Sequence, residues 1–255
     1  MSLSEERQRQ SFSLSVIVPA LNEEENIEPA VLLIKDTLGV CPRISAFEII
    51  MVNDGSVDKT GEICRRLSQK YGNILYLENE VNRSIGYCYK RGLSYARYDY
   101  VTWLAADGSY IREELLKYLD AFRFDRISIS YSYTKEALRT RSLARRVISR
   151  AYRMFISLFF GIRGINYING MALYKREFLK SIPIRANGFG IMAELVLRAR
   201  KQNYAFQNVA MNSIERNKGK TKLFKLNNVK DLLRTLAILF WEFNVRGFKR
   251  SLKTP

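Results

Sequence analysis

Two polar clusters in the sequence each follow a short apolar run directly. The first, Asn-Asp-Gly-Ser at residues 53–56, comes after the run 49–52, and the second ends in Asp107 after the run 100–104. A buried strand before such a cluster delivers polar groups to its own carboxyl end, which is where an open α/β sheet binds ligands. Asp54 and Asp107 therefore predict a polar ligand site at one edge of a sheet.

The first cluster has the composition of a tight turn that leads into a helix. Gly55 permits the turn because glycine has no Cβ, and Ser56 or Asp58 can cap the helical pattern that follows. Asp54 is then left as a carboxylate that points into the opening at the strand end. A plain strand-to-helix turn with the same capping residues is the alternative interpretation of this cluster.

The residue types that are missing limit the chemistry. The sequence contains no histidine, and its three cysteines, Cys41, Cys64 and Cys88, lack the spacing of metal ligands. A histidine-based triad and histidine metal ligands are therefore excluded. Any bound metal must have oxygen ligands, which favours Mg²⁺ or Mn²⁺. The odd number of scattered cysteines indicates a reducing compartment.

Apolar periodicity predicts the elements that carry the two clusters. Runs of strand type alternate with stretches of helical spacing, and this β-α-β-α-β-α-β order predicts a parallel sheet with right-handed crossovers. Asn22 stands three residues before Glu25, which resembles a capping box at the first helix. The predicted strands are 13–19, 47–52, 74–77 and 100–104, and the predicted helices are 23–38, 61–71 and 87–96, with a polar turn at 82–86.

Further elements of both kinds are expected in the second half. They are strands at 127–133 and 209–214, a turn into a strand at 169–174, a short helix at 175–182 and a helix at 189–201. In the last helix, Ile191, Leu195 and Leu197 face inward and Glu194 is isolated among apolar neighbours. We expect residues 1–12 to be a flexible lead and 13–223 to be one domain with halves 13–125 and 126–223. We expect residues 224–255 to be a basic amphipathic helical tail.

The charge of the chain is distributed unevenly between its halves. Residues 1–125 contain 15 Lys and Arg against 19 Asp and Glu, a net charge of −4, whereas residues 126–255 contain 27 against 6, a net charge of +21. Such an asymmetry indicates an anionic partner, which could be a nucleic acid, a phosphate-bearing substrate or a membrane surface. A solvated basic face that only aids solubility is the alternative.

Two amphipathic stretches lie in the basic half. Residues 138–162 combine six arginines with an apolar run at 154–162, the composition of a helix that lies in a membrane interface. A core helix with a basic outer face fits the same pattern. Residues 232–243 are apolar, but twelve residues are too few to span a bilayer. No signal peptide is expected from the polar amino-terminal residues.

Six blocks of the sequence resemble, in their order and approximate spacing, a family 2 glycosyltransferase of the GT-A fold. They are SVIVPALNEEENI, EIIMVNDGSVDKT, VTWLAADGS, NGMALYKREFL, GFGIMAELVLRARKQNY and ERNKGKTKL, and they cover about residues 14–223. The chain is most similar to the branch of dolichol-phosphate mannose synthases and polyprenyl-phosphate glycosyltransferases. Each block also lies where the predicted elements require it, so the resemblance is specific. It implies a Rossmann-like, mostly parallel sheet flanked by helices, with a basic amphipathic carboxyl-terminal region.

The resemblance also implies roles for particular residues. Asp107 would hold Mg²⁺ or Mn²⁺ on the diphosphate of a sugar nucleotide, and Glu194 falls on the acidic residue of the acceptor-side helix. Arg216, Gly219 and Lys222 match a basic loop that folds over the phosphates. The residues expected to be catalytic are Asp107, Glu194, Arg216 and Lys222. Those expected to bind the donor are Pro19, Leu21, Asn22, Glu23, Asn53, Asp54, Ser56, Asn82, Arg83 and Ala106.

Several positions depart from the family pattern. Ala105 replaces the first acid of the metal pair, Asn53 replaces the first acid of an Asp-Asp-Gly-Ser block, and Leu21 replaces an aromatic residue. Mg²⁺ commonly keeps several waters and needs only one or two carboxylates with phosphate, so Asp107 could suffice. A catalytically degenerate relative, which binds a sugar nucleotide or a partner without transfer, would show the same departures. The others are Ser132, Asn166, Ile168, Asn169 and Ala172.

The implied function is an inverting transfer of a sugar from a nucleotide diphosphate to a polyprenyl or dolichyl phosphate. The acidic half would bind donor and metal at the cytoplasmic membrane face. The basic half would attach peripherally to an anionic membrane surface or to a membrane partner protein. A saccharide acceptor, which needs a base near Glu194, is an alternative. Nucleic-acid binding is not expected, because the first half is acidic and no recognisable nucleic-acid-binding motif is present.

Overall fold

The computed structural model describes residues 10–131, 143–161, 171–212 and 226–246, and their architecture is the expected α/β fold. The strands of the main sheet are β1 (Phe12–Ala20), β2 (Ile44–Asp54), β3 (Ile74–Asn79), β4 (Tyr100–Trp103) and β6 (Tyr174–Lys175). Their order is β3-β2-β1-β4-β6, and β6 alone is antiparallel to its neighbour. The carboxyl ends of the four parallel strands therefore open onto one edge.

A smaller sheet pairs β5 (Arg126–Tyr131) with β7 (Ala205–Ala210) in parallel. An antiparallel bridge between Ile129 and Ala172 connects β5 to the segment that enters β6. The smaller sheet is therefore attached to the β6 end of the main sheet, and it belongs to the basic half of the chain.

Helices cover both faces of the main sheet. They are α1 (Ile27–Val40), α2 (Thr60–Lys70), α3 (Ile85–Tyr95), α4 (Arg112–Asp120), α5 (Leu143–Phe160), α6 (Arg176–Ser181), α7 (Gly190–Lys201) and α8 (Leu226–Phe240), which continues as a π-helix over Trp241–Arg246. Successive side chains of a strand point to opposite faces. Val16 and Ile49 thus lie in a core with α1, α2 and α4, whereas Ile17 and Ile50 lie in a second core with α3 and α7.

Beyond smaller differences at other ends, two predicted elements begin four residues away from their predicted positions. The first helix begins at Ile27 rather than at residue 23, and no capping box forms, because Asn22 has a left-handed backbone with a φ of 49°. The strand predicted at 209–214 is β7 at Ala205–Ala210. Its residues are mostly half-buried or exposed, so apolar periodicity did not reveal it. Pairing with β5 determines where this strand runs.

The two amphipathic stretches correspond to α5 and to α8 with its π-helical end. Both helices contribute side chains to the second core, through Ile156 of α5 and through Leu236 and Leu239 of α8. Among the residues that the structure describes, no helix is both long enough and apolar enough to cross a membrane.

Candidate active site

Asp54 is the last residue of β2, and its carboxylate is buried with only 4% of the residue exposed. Oδ1 accepts the N–H of Arg83 at 2.8 Å and the Nδ2 of Asn79 at 2.8 Å, and Oδ2 accepts the N–H of Ser84 at 2.9 Å. The prediction that the Asp54 carboxylate points into the opening is therefore wrong. A buried carboxylate is costly unless it is hydrogen-bonded, and the amides before α3 meet that need.

Asp54 holds the segment 82–84 against β2. We call this segment the donor turn, because Asn82 and Arg83 are among the residues expected to bind the sugar-nucleotide donor. Asn82 and Arg83 are exposed, and the guanidinium of Arg83 lies 4.5 Å from the ring centroid of Tyr87. Ser84 has a φ of 74° and a ψ of 163°, a region that side-chain-bearing residues rarely adopt. The donor turn thus presents a cation at the rim of the sheet, on a backbone held in a strained conformation.

Reciprocal hydrogen bonds join the loops that follow β1 and β2. Ser56 Oγ accepts the N–H of Asn22 at 2.9 Å, and Asn22 Oδ1 accepts the N–H of Val57 at 2.9 Å. The N–H of Glu23 donates to Thr60 Oγ1 at 2.8 Å. Asn22 tolerates its left-handed backbone better than most residues do. These polar groups therefore fix the relative position of the two loops.

The side chain that accepts hydrogen bonds from the first residue of α2 is that of Asp58, and not that of Ser56. Asp58 Oδ1 accepts the N–H of Thr60 at 3.0 Å and the Thr60 hydroxyl at 2.6 Å. Burial raises the pKa of Asp58, but the hydrogen bonds from Thr60 and from backbone amides outweigh this and lower the pKa below its ordinary value. The first turn of α2 therefore has a charged acceptor at neutral pH.

The turn at 53–56 contacts the segment that leads into the donor turn. Asn53 is buried, and its Oδ1 accepts the N–H of Ser56 at 3.2 Å while its Nδ2 donates to Glu78 at 3.2 Å. Gly55 has a φ of 68°, and a Cβ at this position would lie 2.6 Å from the backbone carbon of Val81. Only glycine allows this close approach of the two backbones.

Asp107 lies in the loop after β4, where the strand order reverses between β1 and β4. Ligands of open α/β sheets bind at such a reversal. One oxygen of Asp107 accepts the N–H of Ser109 at 3.2 Å, and the hydroxyl of Tyr110 accepts the N–H of Ala105 at 2.9 Å. Burial raises the pKa of Tyr110, so its hydroxyl stays neutral. Ala106 is buried, and Asp107 is the acidic side chain of this loop.

The donor set around Asp107 determines how a metal could bind. Across residues 10–131, 143–161, 171–212 and 226–246, no group of three or more acidic, cysteine or histidine side chains could hold an ion. Asp107 supplies one carboxylate, and Ala105 supplies none. Mg²⁺ accepts one or two carboxylates when phosphate oxygens and water complete its octahedron. The loop therefore fits a metal that arrives with a diphosphate and does not form an all-protein cage.

Glu194 belongs to a buried ion-pair network, so the expectation that it is isolated among apolar neighbours is wrong. The residue has no exposed surface, and its carboxylate accepts the N–H groups of Arg185 and Ala186 and the Nε of Arg198 at 2.8 Å. Arg198 also donates to both oxygens of Glu242. Burial lowers the pKa of Arg198, but the two carboxylates raise it above its ordinary value. Arg198 thus links Glu194 and α7 to the π-helical end of α8.

The remaining predicted residues are divided between described and undescribed parts of the chain. Pro19 is half-buried near the end of β1, and Leu21 is half-buried just after it. Ala172 is buried, and its carbonyl accepts the hydroxyl of Thr102 at 3.0 Å. The predicted residues that lie outside the described parts are Ser132, Asn166, Ile168, Asn169, Arg216, Gly219 and Lys222.

Asn79 is a residue of this edge that the sequence analysis missed. It ends β3 beside Asp54, is 4% exposed, donates to Asp54 and accepts from Arg91. The signal was available, because a polar residue at the end of a parallel strand is the same pattern that identified Asp54 and Asp107. The predicted third strand ended at residue 77, two residues too early.

Comparison with known proteins identifies the family to which this chain belongs. The model of the family described as glycosyl transferase family 2 matches residues 15–182. That range is well over half of the chain, so the protein belongs to glycosyl transferase family 2 and is a glycosyltransferase. The Asp54 and Asp107 clusters both fall inside the matched range.

Relatives among known proteins have low sequence identity to this chain, but the similarity extends over much of its length. The chain is 26% identical over 242 residues to a polyprenol monophosphomannose synthase of Mycolicibacterium smegmatis, covering 91% of this chain and 87% of the relative. It is 29% identical over 195 residues to a dolichyl-phosphate beta-glucosyltransferase of Trichomonas vaginalis, covering 68% of this chain but 56% of that relative. It spans only 38% of the glycosyltransferase AglD of Haloferax volcanii, at 25% identity.

Solved structures agree on the fold. Glucosyl-3-phosphoglycerate synthase of Mycobacterium tuberculosis, in complex with Mn²⁺, UDP and glucosyl-3-phosphoglycerate, superposes with a TM-score of 0.62 at 20% identity, covering 94% of this chain and 84% of that one. The same enzyme with Mn²⁺, UDP and phosphoglyceric acid gives a TM-score of 0.64 at 19% identity and covers 94% and 82%. The chain therefore has a GT-A-like α/β fold.

Replacing the strained residue of the donor turn should stabilise the protein. Ser84→Gly is expected to remove about 1 kcal/mol of backbone strain and raise the melting temperature by about 2–4 °C, measured by calorimetry. As a control, Ser94→Gly in α3 should not raise it, because glycine inside a helix is unfavourable. A melting temperature that falls for Ser84→Gly would show that the turn is not strained.

Proposed function

We propose that this glycosyltransferase moves a sugar from a nucleotide-diphosphate sugar to a lipid phosphate of the polyprenyl type, with inversion at the anomeric carbon. The observation that carries the proposal is that the donor turn and Asp107 lie at one carboxyl edge of a family 2 sheet. The names of the relatives support the acceptor class, since they are a polyprenol monophosphomannose synthase and a dolichyl-phosphate beta-glucosyltransferase.

In this proposal the nucleotide-sugar donor binds at the edge of the sheet where the carboxyl ends of the parallel strands lie. Arg83 would contact the diphosphate together with Arg216 and Lys222, since guanidinium and ammonium groups bind phosphate oxygens through charge-assisted hydrogen bonds. The joined loops after β1 and β2 would form a rigid wall for the base and ribose. The residues proposed for this wall and for the donor turn are Pro19, Leu21, Asn22, Glu23, Asn53, Asp54, Ser56, Asn82 and Ala106.

Asp107 is the residue that would hold a divalent metal on the donor. A bound Mg²⁺ or Mn²⁺ neutralises the charge that develops on the leaving diphosphate. The chain's own share is to fix Asp107: the bond from Ser109 N–H orients its carboxylate, and Tyr110 holds the loop at Ala105. The solved neighbours with Mn²⁺ and UDP support a divalent metal in this fold.

The acceptor side needs no strong base in this proposal. A lipid phosphate is already ionised at neutral pH, so its oxygen can attack without first giving up a proton. Glu194 has no exposed surface and is bonded by Arg185, Ala186 and Arg198. We therefore assign Glu194 the role of fixing the start of α7, and not the role of a base.

An exposed apolar surface on α5 and the end of α8 supports a membrane location. We call it the aromatic face. Met154 is 69% exposed, Leu158 is 77% exposed and Trp241 is 54% exposed, and exposed patches of this kind mark interaction surfaces. The rings of Phe159 and Phe240 lie 5.8 Å apart and connect the two helices. Its members are Met154, Phe155, Leu158, Phe159, Phe240 and Trp241.

We propose that the aromatic face lies on the cytoplasmic side of an anionic membrane. The net charge of +21 in residues 126–255 complements anionic lipid, and each Lys or Arg near such a surface adds about 1 kcal/mol of attraction. Arg150 is exposed on α5, the helix that bears most of the face. Attachment would be peripheral, and a membrane partner protein could share it.

Nucleotide binding tests the donor part of the proposal. UDP, GDP and dTDP are each added with and without Mn²⁺, and a nucleotide at a hundred times its dissociation constant should stabilise the fold by about 2.7 kcal/mol in a thermal-shift measurement. The Mn²⁺-dependent part of this stabilisation should vanish in Asp107→Ala. It should persist in Asp36→Ala, which removes an exposed carboxylate of α1. If no nucleotide shifts the melting temperature, the donor assignment fails.

Glu194→Gln tests the acceptor part. The variant should lose about 2–3 kcal/mol of stability in urea unfolding, because a buried charged acceptor is replaced. Turnover per folded molecule with a polyprenyl phosphate acceptor should stay within about twofold of the parent at a temperature where both are folded. Glu177→Gln, at an exposed site on α6, is the control for both measurements. Loss of turnover at unchanged stability would instead favour a base at Glu194 and a saccharide acceptor.

Vesicle binding tests the membrane part. Co-sedimentation with phosphatidylglycerol-rich vesicles should weaken as salt rises, because salt screens the charges of protein and lipid. Leu158→Glu on the aromatic face should weaken binding about tenfold, since burial of one leucine is worth about 1.5–3 kcal/mol. Val40→Glu, at an exposed site on α1, should leave binding unchanged. Equal binding by all three proteins would contradict docking through this face.

A further inference from the structure

The segment 187–190 contacts the start of α3, although about a hundred residues of chain separate them. The carbonyl of Asn187 accepts the N–H of Tyr87 at 2.9 Å, and its Oδ1 accepts the Nζ of Lys90 at 2.6 Å. The first N–H groups of a helix lack partners within the helix. Asn187 therefore supplies a cap to α3 from the other half of the chain.

Gly86 makes this contact possible. A Cβ on Gly86 would lie 2.6 Å from the backbone carbon of Asn187 and 2.8 Å from the carbonyl oxygen of Gly188. Real Cβ atoms do not approach backbone atoms so closely, so any other residue at position 86 would push the segment away. The backbones of α3 and of the segment 187–188 are thus in direct contact.

α8 holds the opposite side of the same segment. A side chain on Gly188 would overlap the carboxylate of Asp231, and a Cβ on Gly190 would lie 2.5 Å from the hydroxyl of Thr235. The N–H of Gly190 points to Asp231 Oδ2 at 3.4 Å. A carboxylate is favourable at a helix amino terminus, and Asp231 occupies that position for α7.

Lys90 experiences charges from both sides of the contact. Burial lowers the pKa of Lys90, while the carboxylates of Glu194 and Asp231 act in the opposite direction. Glu194 belongs to α7 and Asp231 to α8, so charges on both helices act on Lys90. The hydrogen bond to Asn187 directs it to the segment 187–190.

The contact leads directly to the donor turn. Tyr87, whose N–H is bonded to Asn187, carries the ring on which the guanidinium of Arg83 stacks at 4.5 Å. Ser84 precedes α3 in its strained conformation and gives its N–H to Asp54. The donor turn is thus held by Asp54 at one end and, through the first turn of α3, by Asn187 at the other.

We propose that Asn187, Gly188 and Asp231, which all belong to the basic half of the chain, form a clamp that positions the donor turn. None of the three touches the ligand in this proposal, so they are positioning residues. They fix the first turn of α3 before the nucleotide arrives, and pre-organisation of this kind increases affinity. The ligand named for the turn rests on the proposed function, but the clamp itself does not.

Two measurements on one set of variants test the clamp. Amide hydrogen exchange over residues 83–87 is followed without ligand, and the dissociation constants of UDP and GDP with Mn²⁺ are measured by calorimetry. Asn187→Ala and Gly86→Ala should accelerate exchange in this segment. They should also raise the dissociation constant of the nucleotide that binds the parent by about tenfold, which is within the range of ordinary couplings between sites. The melting temperature is recorded for each variant.

Conservative and distant substitutions separate positioning from general stability. Asn187→Asp keeps an acceptor for Lys90 and should retain the parent's affinity and exchange. Combining Lys90→Met with Asn187→Ala should cause little further loss of affinity, because the effects of residues that act through one contact are not additive in a double-mutant cycle. Asn73→Ala and Lys35→Met, at sites far from the clamp, are the matched controls and should behave as the parent does.

The outcomes separate the clamp from the donor assignment. Unchanged exchange and affinity in both Asn187→Ala and Gly86→Ala would overturn the clamp. Equal losses in Asn187→Ala and Asn187→Asp, in proportion to lower melting temperatures, would also overturn it. If the parent binds neither nucleotide while exchange at 83–87 still accelerates in the variants, the clamp stands and the donor assignment fails.

Discussion

The carboxylate of Asp54 is the interaction on which the candidate site depends. A buried negative charge must receive several hydrogen bonds, and the chain supplies them from the end of the neighbouring strand and from the amides of Arg83 and Ser84. Ser84 has a positive φ in the arrangement in which these two amides bond to Asp54. One buried charge thereby determines where the donor turn lies and in which direction α3 begins.

The second buried charge network has the same physical basis in the other half of the chain. Glu194 accepts the amides before α7, and Arg198 joins it to Glu242 at the end of α8. Breaking such a network leaves a charge without a partner, which is costly, so the elements it connects keep a single arrangement. Residues that hold a ligand need such rigid support behind them.

Much of the fold, but less of the site, could be predicted from the sequence. The first four strands and three helices were recognisable because each buries a periodic apolar face, and Asp54 and Asp107 were found because polar residues followed those strands. The orientation of Asp54 could not be predicted, because it depends on amides about thirty residues further along the chain. Asn22 was assigned to a capping box, but its partners lie in the loop after β2. Periodicity reports burial within one element, whereas these bonds join two.

The two separate cores of the sheet have a consequence for how related chains can diverge. Side chains such as Val16 and Ile49 belong to the layer of α1, α2 and α4, whereas α5, α7 and α8 rest on the opposite core with Ile17 and Ile50. Substitutions that reshape α5 or α8 therefore alter the volume of one core and leave the other intact. An ancestor with this architecture could exchange α5 and α8 for other helices over evolutionary time while the layer of α1, α2 and α4 kept its packing.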